Sequence, residues 1–234
     1  MIGPNRPVHS KHKRTDPSST WGTLIGVPHE PTTDRGRRSR DRIVDAASEL
    51  MQTCGVAGAG IDRILATAEA SKSQLYHYFA DKDDLTRAVI ADRFEQILDS
   101  QQPILANLDS WASIRRWLDL FVAINEAAGF PGCGIGTLAG ELADRNERLR
   151  LDLARCFTVW ERYLIDGLER MRARGQLVSG ADPERLAVAV FASLQGGLLL
   201  SKTHKETEPL RIALDAAYDH LRSFRAERRP RARE

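Results

Sequence analysis

Cysteine is scarce in this chain of 234 residues, and its three cysteines lie far apart. Cys54, Cys133 and Cys156 do not share the short spacings that metal sites use. An odd and sparse set fits a reduced cytoplasmic protein and not a disulfide framework. The six histidines lie mostly in the tails or alone. We therefore predict no metal site, and because no cofactor fingerprint is present, we predict no cofactor.

Long apolar runs and strand-like alternation are also missing. We find no run long enough to cross a bilayer, and the first residues lack the apolar segment of a signal peptide. The sequence thus predicts neither a membrane span nor a membrane partner. No segment alternates apolar and polar residues as a half-buried strand does, and the glycine and proline signals of hairpins are absent. These absences exclude a β protein.

Apolar residues at helical spacing are abundant instead. Hydrophobic residues make up 42% of the chain, which is enough for a core. Three short helical patterns and a longer one precede residue 100, and further apolar stripes cover residues 111–128, 134–144, 147–175, 183–203 and 207–225. Residues 1–34 are rich in Pro, Ser, Thr and Gly without sustained periodicity. We predict an all-α protein of about nine helices.

The charge is unevenly distributed, although its formal net value is only +2. Residues 1–42 hold nine Lys or Arg against four Asp or Glu, and residues 222–234 hold six against two. The body between them is acidic. Basic ends attract nucleic acids or anionic surfaces. Solvated, disordered tails are the alternative for the far N-terminus, but the run RGRRSRDR at residues 35–42 adjoins the first helix.

Residues 71–85, SKSQLYHYFADKDDL, place four ring side chains in a row. On a helix Leu75 and Phe79 share one face, so we expect them in a small core. The polar and aromatic side chains around them then project elsewhere and suit a DNA groove, in which Gln pairs with adenine and rings pack on a thymine methyl. Lys72 and Lys82 can reach phosphates. This arrangement is typical of the recognition helix of a helix-turn-helix unit.

The segment ILATAEASKSQLYHYFADKDDL, residues 64–85, resembles the DNA-binding signature of the TetR family of bacterial repressors. The matching offsets are Leu75, Tyr76, Tyr78, Phe79, Lys82 and Leu85. The resemblance implies a helix-turn-helix unit, and with the basic run the predicted DNA-binding residues are Arg38, Arg40, Arg63, Lys72, Ser73, Gln74, Tyr76, His77, Tyr78 and Lys82. A partly buried ring without a DNA role remains the alternative for Tyr78, and a solvent-facing spacer for His77.

Two positions depart from the family pattern. Gly60 precedes the second helix where Ser or Thr is usual, which removes a capping hydroxyl. Glu69 occupies a turn position usually held by Gly, and a non-glycine residue at positive φ costs roughly 1 kcal/mol there. Residues 35–95 carry equal numbers of basic and acidic groups, so DNA attraction is expected to depend on the arginines of residues 35–42.

The stretch GCGIGTLAGEL, residues 132–142, is rich in glycine but fits neither a dinucleotide fingerprint nor a P-loop. It resembles a stretch of the TetR subgroup that includes LmrA/YxaF-like regulators, where it opens a short helix beside the ligand pocket. The predicted ligand-binding residues are Trp117, Phe121, Cys133, Leu138, Phe157, Trp160, Tyr163, Phe191 and Gln195. Each aromatic among them can instead belong to the core. Few ionisable groups interrupt these stripes, which favours an apolar or aromatic effector.

The last helix carries apolar residues at 4-3-4-3 spacing, which is a heptad seam. The helix before it carries a flatter seam with small residues. Two such helices per chain predict a four-helix dimer interface formed by Leu186, Val190, Gly197, Leu210, Leu214, Ala217 and Leu221. Intramolecular packing is the alternative. A dimer would set two recognition helices about 34–36 Å apart on a palindrome.

The predicted organisation has four parts: a disordered or untranslated extension (1–34), a helix-turn-helix DNA-binding domain (35–82), a helical effector-binding and dimerisation domain (83–225) and a basic tail (226–234). We predict a homodimeric regulator at the cytoplasmic nucleoid, which binds a palindromic operator in double-stranded DNA and is released by a small apolar or aromatic ligand. A non-specific architectural DNA-binding protein that uses its basic tails is the alternative. No catalytic constellation supports an enzyme.

Overall fold

The computed structural model describes residues 31–226, and nine α-helices build the fold within this range. They are α1 (Asp34–Gly58), α2 (Ile61–Ala68), α3 (Lys72–Tyr78), α4 (Lys82–Ser100), α5 (Trp111–Ala127), α6 (Gly134–Leu142), α7 (Glu147–Ala173), α8 (Pro183–His204) and α9 (Glu208–Ser223). A 3-10 turn spans Leu105–Asn107. β-Structure within the described residues is limited to one isolated bridge between Leu177 and Arg225. The all-α prediction is confirmed.

Most of the predicted N-terminal extension and basic tail lies outside the described residues. Of the segment 1–34, only the last four residues are described, and Asp34 already belongs to α1. Helix α1 therefore begins before the apolar stripe, because the Thr33 hydroxyl caps it by accepting a hydrogen bond from the Gly36 amide. The arginines of residues 35–42 are thus helical.

Helices α1–α3 form a small unit around one core, and residues 34–79 are called the reading head below. Ile43 and Ala47 of α1, Ile64 of α2, and Leu75 and Phe79 around α3 are at most 1% exposed in this core. The stretch YHYF therefore divides as predicted, with Phe79 inside and Tyr76 outside.

Both departures from the family pattern have visible consequences in the reading head. Gly60 precedes α2 without a side-chain capping bond. Glu69 ends α2 in the left-handed conformation at φ 50°. A residue with a Cβ is strained in that region, so this turn carries a cost that glycine would avoid.

Helices α4–α9 are called the body below. They form a helical layer in which α8 packs against α7 and α9. Helix α8 is apolar and long enough to cross a membrane by length and composition alone, contrary to our reading of the sequence. Its side chains explain this composition, because Leu186, Val190, Phe191 and Leu194 are core residues at most 3% exposed. Within the described residues α8 is therefore the central helix of a packed body.

The structure corrects the predicted dimer seam. All seven residues are buried inside one chain: Leu186, Val190, Gly197, Leu210, Leu214, Ala217 and Leu221. Gly197 shows the reason, since a Cβ there would lie 3.0 Å from the Cα of Leu210 in α9. The small and large residues let α8 and α9 approach closely within one chain, which is the intramolecular alternative.

Candidate nucleic-acid interface and effector region

Helix α3 turns one face to the core and the other to solvent. Leu75 is buried, whereas Lys72, Ser73 and His77 are exposed and Tyr76 is 57% exposed. The helix begins at Ser71, whose hydroxyl accepts a hydrogen bond from the Gln74 amide. A large exposed aromatic ring among short polar side chains has no packing role in one chain and suits contact with a base or sugar.

Gln74 is less available for base contact than the sequence indicated. Its Oε1 accepts a hydrogen bond from the Ser71 amide at 2.8 Å, and its Nε2 donates to the Ser39 hydroxyl at 3.3 Å. The first bond completes a capping box, and the second ties α3 to α1. We therefore assign Gln74 a supporting role, in which it holds the recognition helix in place.

The two predicted lysines differ in their surroundings. Lys72 Nζ lies 2.9 Å from Asp62 Oδ1 on an open surface, and this hydrogen bond raises the pKa of Lys72. An exposed pair of this kind contributes little stability, so a DNA phosphate can replace the carboxylate. Lys82 Nζ instead donates a 2.6 Å hydrogen bond to the carbonyl of Val56. Lys82 thus fastens α4 to the end of α1, and because an ammonium has three N–H donors, its phosphate contact stays a prediction.

The arginines of α1 fall into two groups. Arg35, Arg38 and Arg42 are exposed, follow helical spacing and line a groove of about 520 Å³ beside Gln74. Arg40 points the other way: its guanidinium lies 5.6 Å from the centre of the Phe79 ring, and its side chain is 14% exposed. Arg40 therefore packs on the core. Arg35 and Arg42 stand outside the predicted set of DNA-binding residues, but their spacing places them on the same side of α1 as Arg38.

Tyr78 and Arg63 complete the predicted set. Tyr78 is partly buried, with its ring edge-on to His77 at 4.9 Å and to Phe79 at 6.3 Å. It nevertheless lines a second groove together with Arg35 and His77. Arg63 is exposed on α2. The exposed polar surface of α3 and the basic side of α1 are thus continuous. We call this surface the reading face, and it comprises Ser73, Tyr76 and His77 of α3 and Arg35, Arg38 and Arg42 of α1.

The predicted ligand-binding aromatics form a closed cluster between α5, α7 and α8. Trp117, Phe121, Trp160 and Phe191 are at most 8% exposed, with ring centres 5.1–5.8 Å apart in the contacting pairs. These rings pack against one another and are shielded from solvent. Leu138 is likewise buried, whereas Phe157 and Tyr163 lie at the edge of this core.

One polar side chain, Gln101, organises the aromatic cluster. Its Oε1 accepts a hydrogen bond from the indole of Trp117 at 2.8 Å and another from the indole of Trp160 at 3.0 Å. Its Nε2 donates to the Ile97 carbonyl at 2.8 Å, and the residue is 1% exposed. Sequence reasoning missed Gln101, because a single glutamine at the end of a helix carries no pattern.

Cys133 and Gln195 meet beside the aromatic cluster at the start of α6. The Cys133 sulfur caps this helix by accepting a hydrogen bond from the Gly136 amide, and burial raises the pKa of its thiol. A Cβ at Gly136 would lie 2.7 Å from Gln195 Oε1. The Nε2 of Gln195 is buried and has no hydrogen bond of normal geometry, although the amide lies near enough to the Cys133 thiol to oppose the rise in its pKa. An unsatisfied buried donor is costly, so this is the place in the predicted set where a ligand oxygen would be stabilised.

Comparison with known proteins gives independent evidence. Residues 43–89 match the model for "Bacterial regulatory proteins, tetR family", and residues 111–216 match that for "Transcriptional regulator LmrA/YxaF-like, C-terminal domain". The chain is 29% identical over 188 residues to the HTH-type transcriptional repressor DhaR of Mycobacterium sp. (strain GP1), which covers 78% of this chain and 91% of that protein. It is also 29% identical over 184 residues to the HTH-type transcriptional regulator LmrA of Bacillus subtilis, covering 74% and 90%.

A solved structure supports the fold. The crystal structure of a TetR transcriptional regulator from Chloroflexus aurantiacus superposes with a TM-score of 0.72 at 24% identity. The match covers 83% of this chain and all of that one. The helical body and the reading head are therefore both present in a known architecture.

Proposed function

We propose that this chain, which belongs to the TetR family of bacterial regulatory proteins, represses transcription and leaves its operator when a small apolar or aromatic ligand binds. Family membership makes it a sequence-specific DNA-binding transcriptional regulator and not an enzyme. The reading face is the observation that carries the proposal. It combines an exposed aromatic ring, Tyr76, with the exposed arginines of α1.

Different parts of the reading face would contact the bases and the phosphate backbone of the DNA. Ser73, Tyr76 and His77 lie on the exposed side of α3, where a helix in the major groove meets base edges. Arg35 and Arg38 lie to one side, where they would neutralise phosphates or enter the minor groove. The proposed DNA-binding domain is the segment 35–82, with 83–225 as the effector and dimerisation domain.

The homodimer interface is proposed for the outer side of α8. Val188, Leu199 and Leu200 are 53%, 63% and 49% exposed, and Ile212 of α9 is 59% exposed. Ala192 and Gly196 are exposed on α8 between Val188 and Leu199, at spacings of three and four residues. An exposed apolar stripe with small residues at its centre suits close packing against the same helix of a second chain.

The effector is proposed to enter the aromatic cluster from the side of Gln195. The rings are closed in this structure, so a ligand has to separate α6 or α8 from the cluster before it can bind. The apolar lining favours an aromatic or aliphatic body, and the buried Gln195 amide favours one oxygen acceptor on it. Binding would then shift the population toward reading heads at a separation unsuited to DNA.

The direct test selects binding sites from a random double-stranded DNA library and measures their affinity by fluorescence anisotropy at several salt concentrations. A regulator selects one palindromic sequence and resists unrelated competitor DNA. Tyr76→Ala should lower the affinity for that sequence, whereas Leu151→Ala, at an exposed residue of α7, should not. An architectural protein would select no sequence and bind all DNA with the same salt dependence.

A further inference from the structure

We propose that Glu141, near the end of α6, is a positioning residue that fixes the orientation of the reading head on the body. The inference rests on the proposed repressor function, in which two heads must meet two half-sites at a set separation. It concerns one carboxylate and the two backbone amides that it holds.

The contact lies at an interruption of α1. Gly55 has φ 74°, so the helix breaks there and the following amides lose their normal helical acceptors. Glu141 Oε2 accepts a hydrogen bond from the amide of Val56, and Oε1 accepts one from Ala57, each at 2.9 Å. Lys82 Nζ donates to the Val56 carbonyl at 2.6 Å. The same short turn is thus held by a carboxylate of the body and by an ammonium at the start of α4.

The turn favours glycine at position 55, because φ 74° disfavours any other residue. A Cβ there would also lie 2.9 Å from Glu141 Oε2, so the carboxylate would have to shift. Both carboxylate oxygens accept from backbone N–H groups, which makes these charge-assisted bonds with a defined direction. A side chain that only covered the surface would need neither feature.

Helix α6 connects this contact to the effector region. The start of α6 contacts side chains of α8, since Gly136 in its first turn passes close to Gln195 and Gly132 just before the helix passes close to Lys202. Ile135 and Leu138 anchor its middle in the core, at 0% and 3% exposure. The helix has nine residues and therefore spans about 13 Å from the effector region to the reading head. A displacement at one end of so short a helix also moves the other end.

Glu141 holds the head in an arrangement in which the aromatic cluster is closed. Under the proposed function this arrangement binds the operator. Loss of the Glu141 contact should therefore weaken operator binding by loosening the orientation of the heads, while each reading face stays unchanged.

The test compares Glu141→Gln with the matched control Glu49→Gln, an exposed glutamate of the reading head. Spin labels on unnatural amino acids replacing Thr67 of α2 and Leu151 of α7 report the distance between head and body without DNA. Wild type and the control should give the same narrow distribution, and Glu141→Gln a broader one. In Glu141→Gln, hydrogen exchange of the backbone amides of Val56 and Ala57 should also be faster than in the wild type. If Glu141→Gln does not fold, Glu141→Asp, which keeps the charge but not the reach, replaces it.

DNA binding gives the second readout. Glu141→Gln should bind the library-selected site about tenfold more weakly, as expected for losing one charge-assisted hydrogen bond. It should also discriminate less than wild type against sites with one base pair inserted between the half-sites. An unchanged distance distribution overturns the inference about Glu141. A wild type that selects no DNA sequence overturns the proposed function, and the distance measurement still decides the role of Glu141.

Discussion

Replacing Gln101 with leucine tests whether the aromatic cluster of the body is held by one buried acceptor. The Oε1 atom serves the indole N–H groups of both Trp117 and Trp160, and all three residues are at most 1% exposed. Leucine has a similar length but cannot accept a hydrogen bond. Gln101→Leu therefore leaves both buried indole N–H groups without a hydrogen-bond acceptor, in a region that water does not reach.

The magnitude follows from these two donors. Each stranded N–H costs about 1–3 kcal/mol, and the apolar leucine side chain recovers roughly 1–2 kcal/mol by burial. We expect the free energy of unfolding to fall by about 2–4 kcal/mol, which is a large part of the roughly 5–15 kcal/mol of a typical protein. Urea unfolding at one fixed protein concentration, followed by tryptophan fluorescence, measures this difference.

The matched control is Gln96→Leu. Gln96 lies on α4, the helix that Gln101 ends, but it is exposed, and its amide donates to Asp92 at 2.8 Å on the surface. We expect this change to stay within about 0.5 kcal/mol, as surface substitutions usually do. If Gln101→Leu were as stable as Gln96→Leu, the two indole hydrogen bonds would contribute nothing, and the structural role given to Gln101 would be wrong.

Three further predictions concern other parts of the chain. Glu69→Gly should raise the free energy of unfolding by up to about 1 kcal/mol, because glycine adopts the left-handed conformation without strain. A lower free energy of unfolding in urea would show that the Glu69 side chain has another role. Asp152→Ala should lower the free energy of unfolding by about 3–5 kcal/mol, because the change breaks a buried ion pair in which the Arg87 guanidinium lies 2.7 Å from the carboxylate. A loss below about 1 kcal/mol would mean that this pair contributes little to stability. Leu199→Glu should convert the proposed dimer to monomers in sedimentation velocity, whereas Leu151→Glu, at a residue of α7 that is 42% exposed, should not. A dimer that survives Leu199→Glu would place the interface elsewhere.

Helix positions could be read from the sequence because their signals are local. Ser71, Asp81 and Asp182 each cap the helix that follows by accepting hydrogen bonds from backbone amides within three residues. Apolar residues three and four apart then define the buried side. Such patterns depend only on neighbours in the chain, so the all-α fold and its nine helices followed from them.

The partners of the buried sides could not be read in the same way. Leu210, Leu214 and Leu221 form a regular apolar seam, but periodicity shows only that a face is covered. The same seam fits a second chain or a neighbouring helix, and here the neighbour is α8. The exposed stripe on α8 keeps the same helical spacing, but alanine and glycine at its centre make it too weakly apolar to stand out in the sequence.

The supporting roles of Gln74 and Glu141 could not be predicted from the sequence for a related reason. Gln74 has the chemistry of a base-reading side chain, and only its two internal hydrogen bonds show that it is engaged. Glu141 lies 85 residues from the amide of Val56 that it holds, so nothing near it in the sequence points to the reading head. The types of side chain in a motif indicate what it can do, whereas contacts distant in the chain decide which side chains are free to do it.

The reading head contacts the body through α4 and through α6, and these contacts differ in how easily they can be released. Arg93 of α4 donates hydrogen bonds to Ser48 and Gln52 of α1, and α4 is itself tied to α7 by the buried pair of Arg87 and Asp152. Glu141 holds the head at the opposite end of α6 from the proposed effector region. Contact with one helix alone fixes where the head is but leaves it free to rotate, whereas contact with two fixes its direction. Because α4 is fixed by a buried charge pair and Glu141 is a single, partly buried side chain, the Glu141 contact is the easier one to release. A ligand that displaces α6 would then rotate a folded head about α4, which changes the separation of two recognition helices without unfolding either of them.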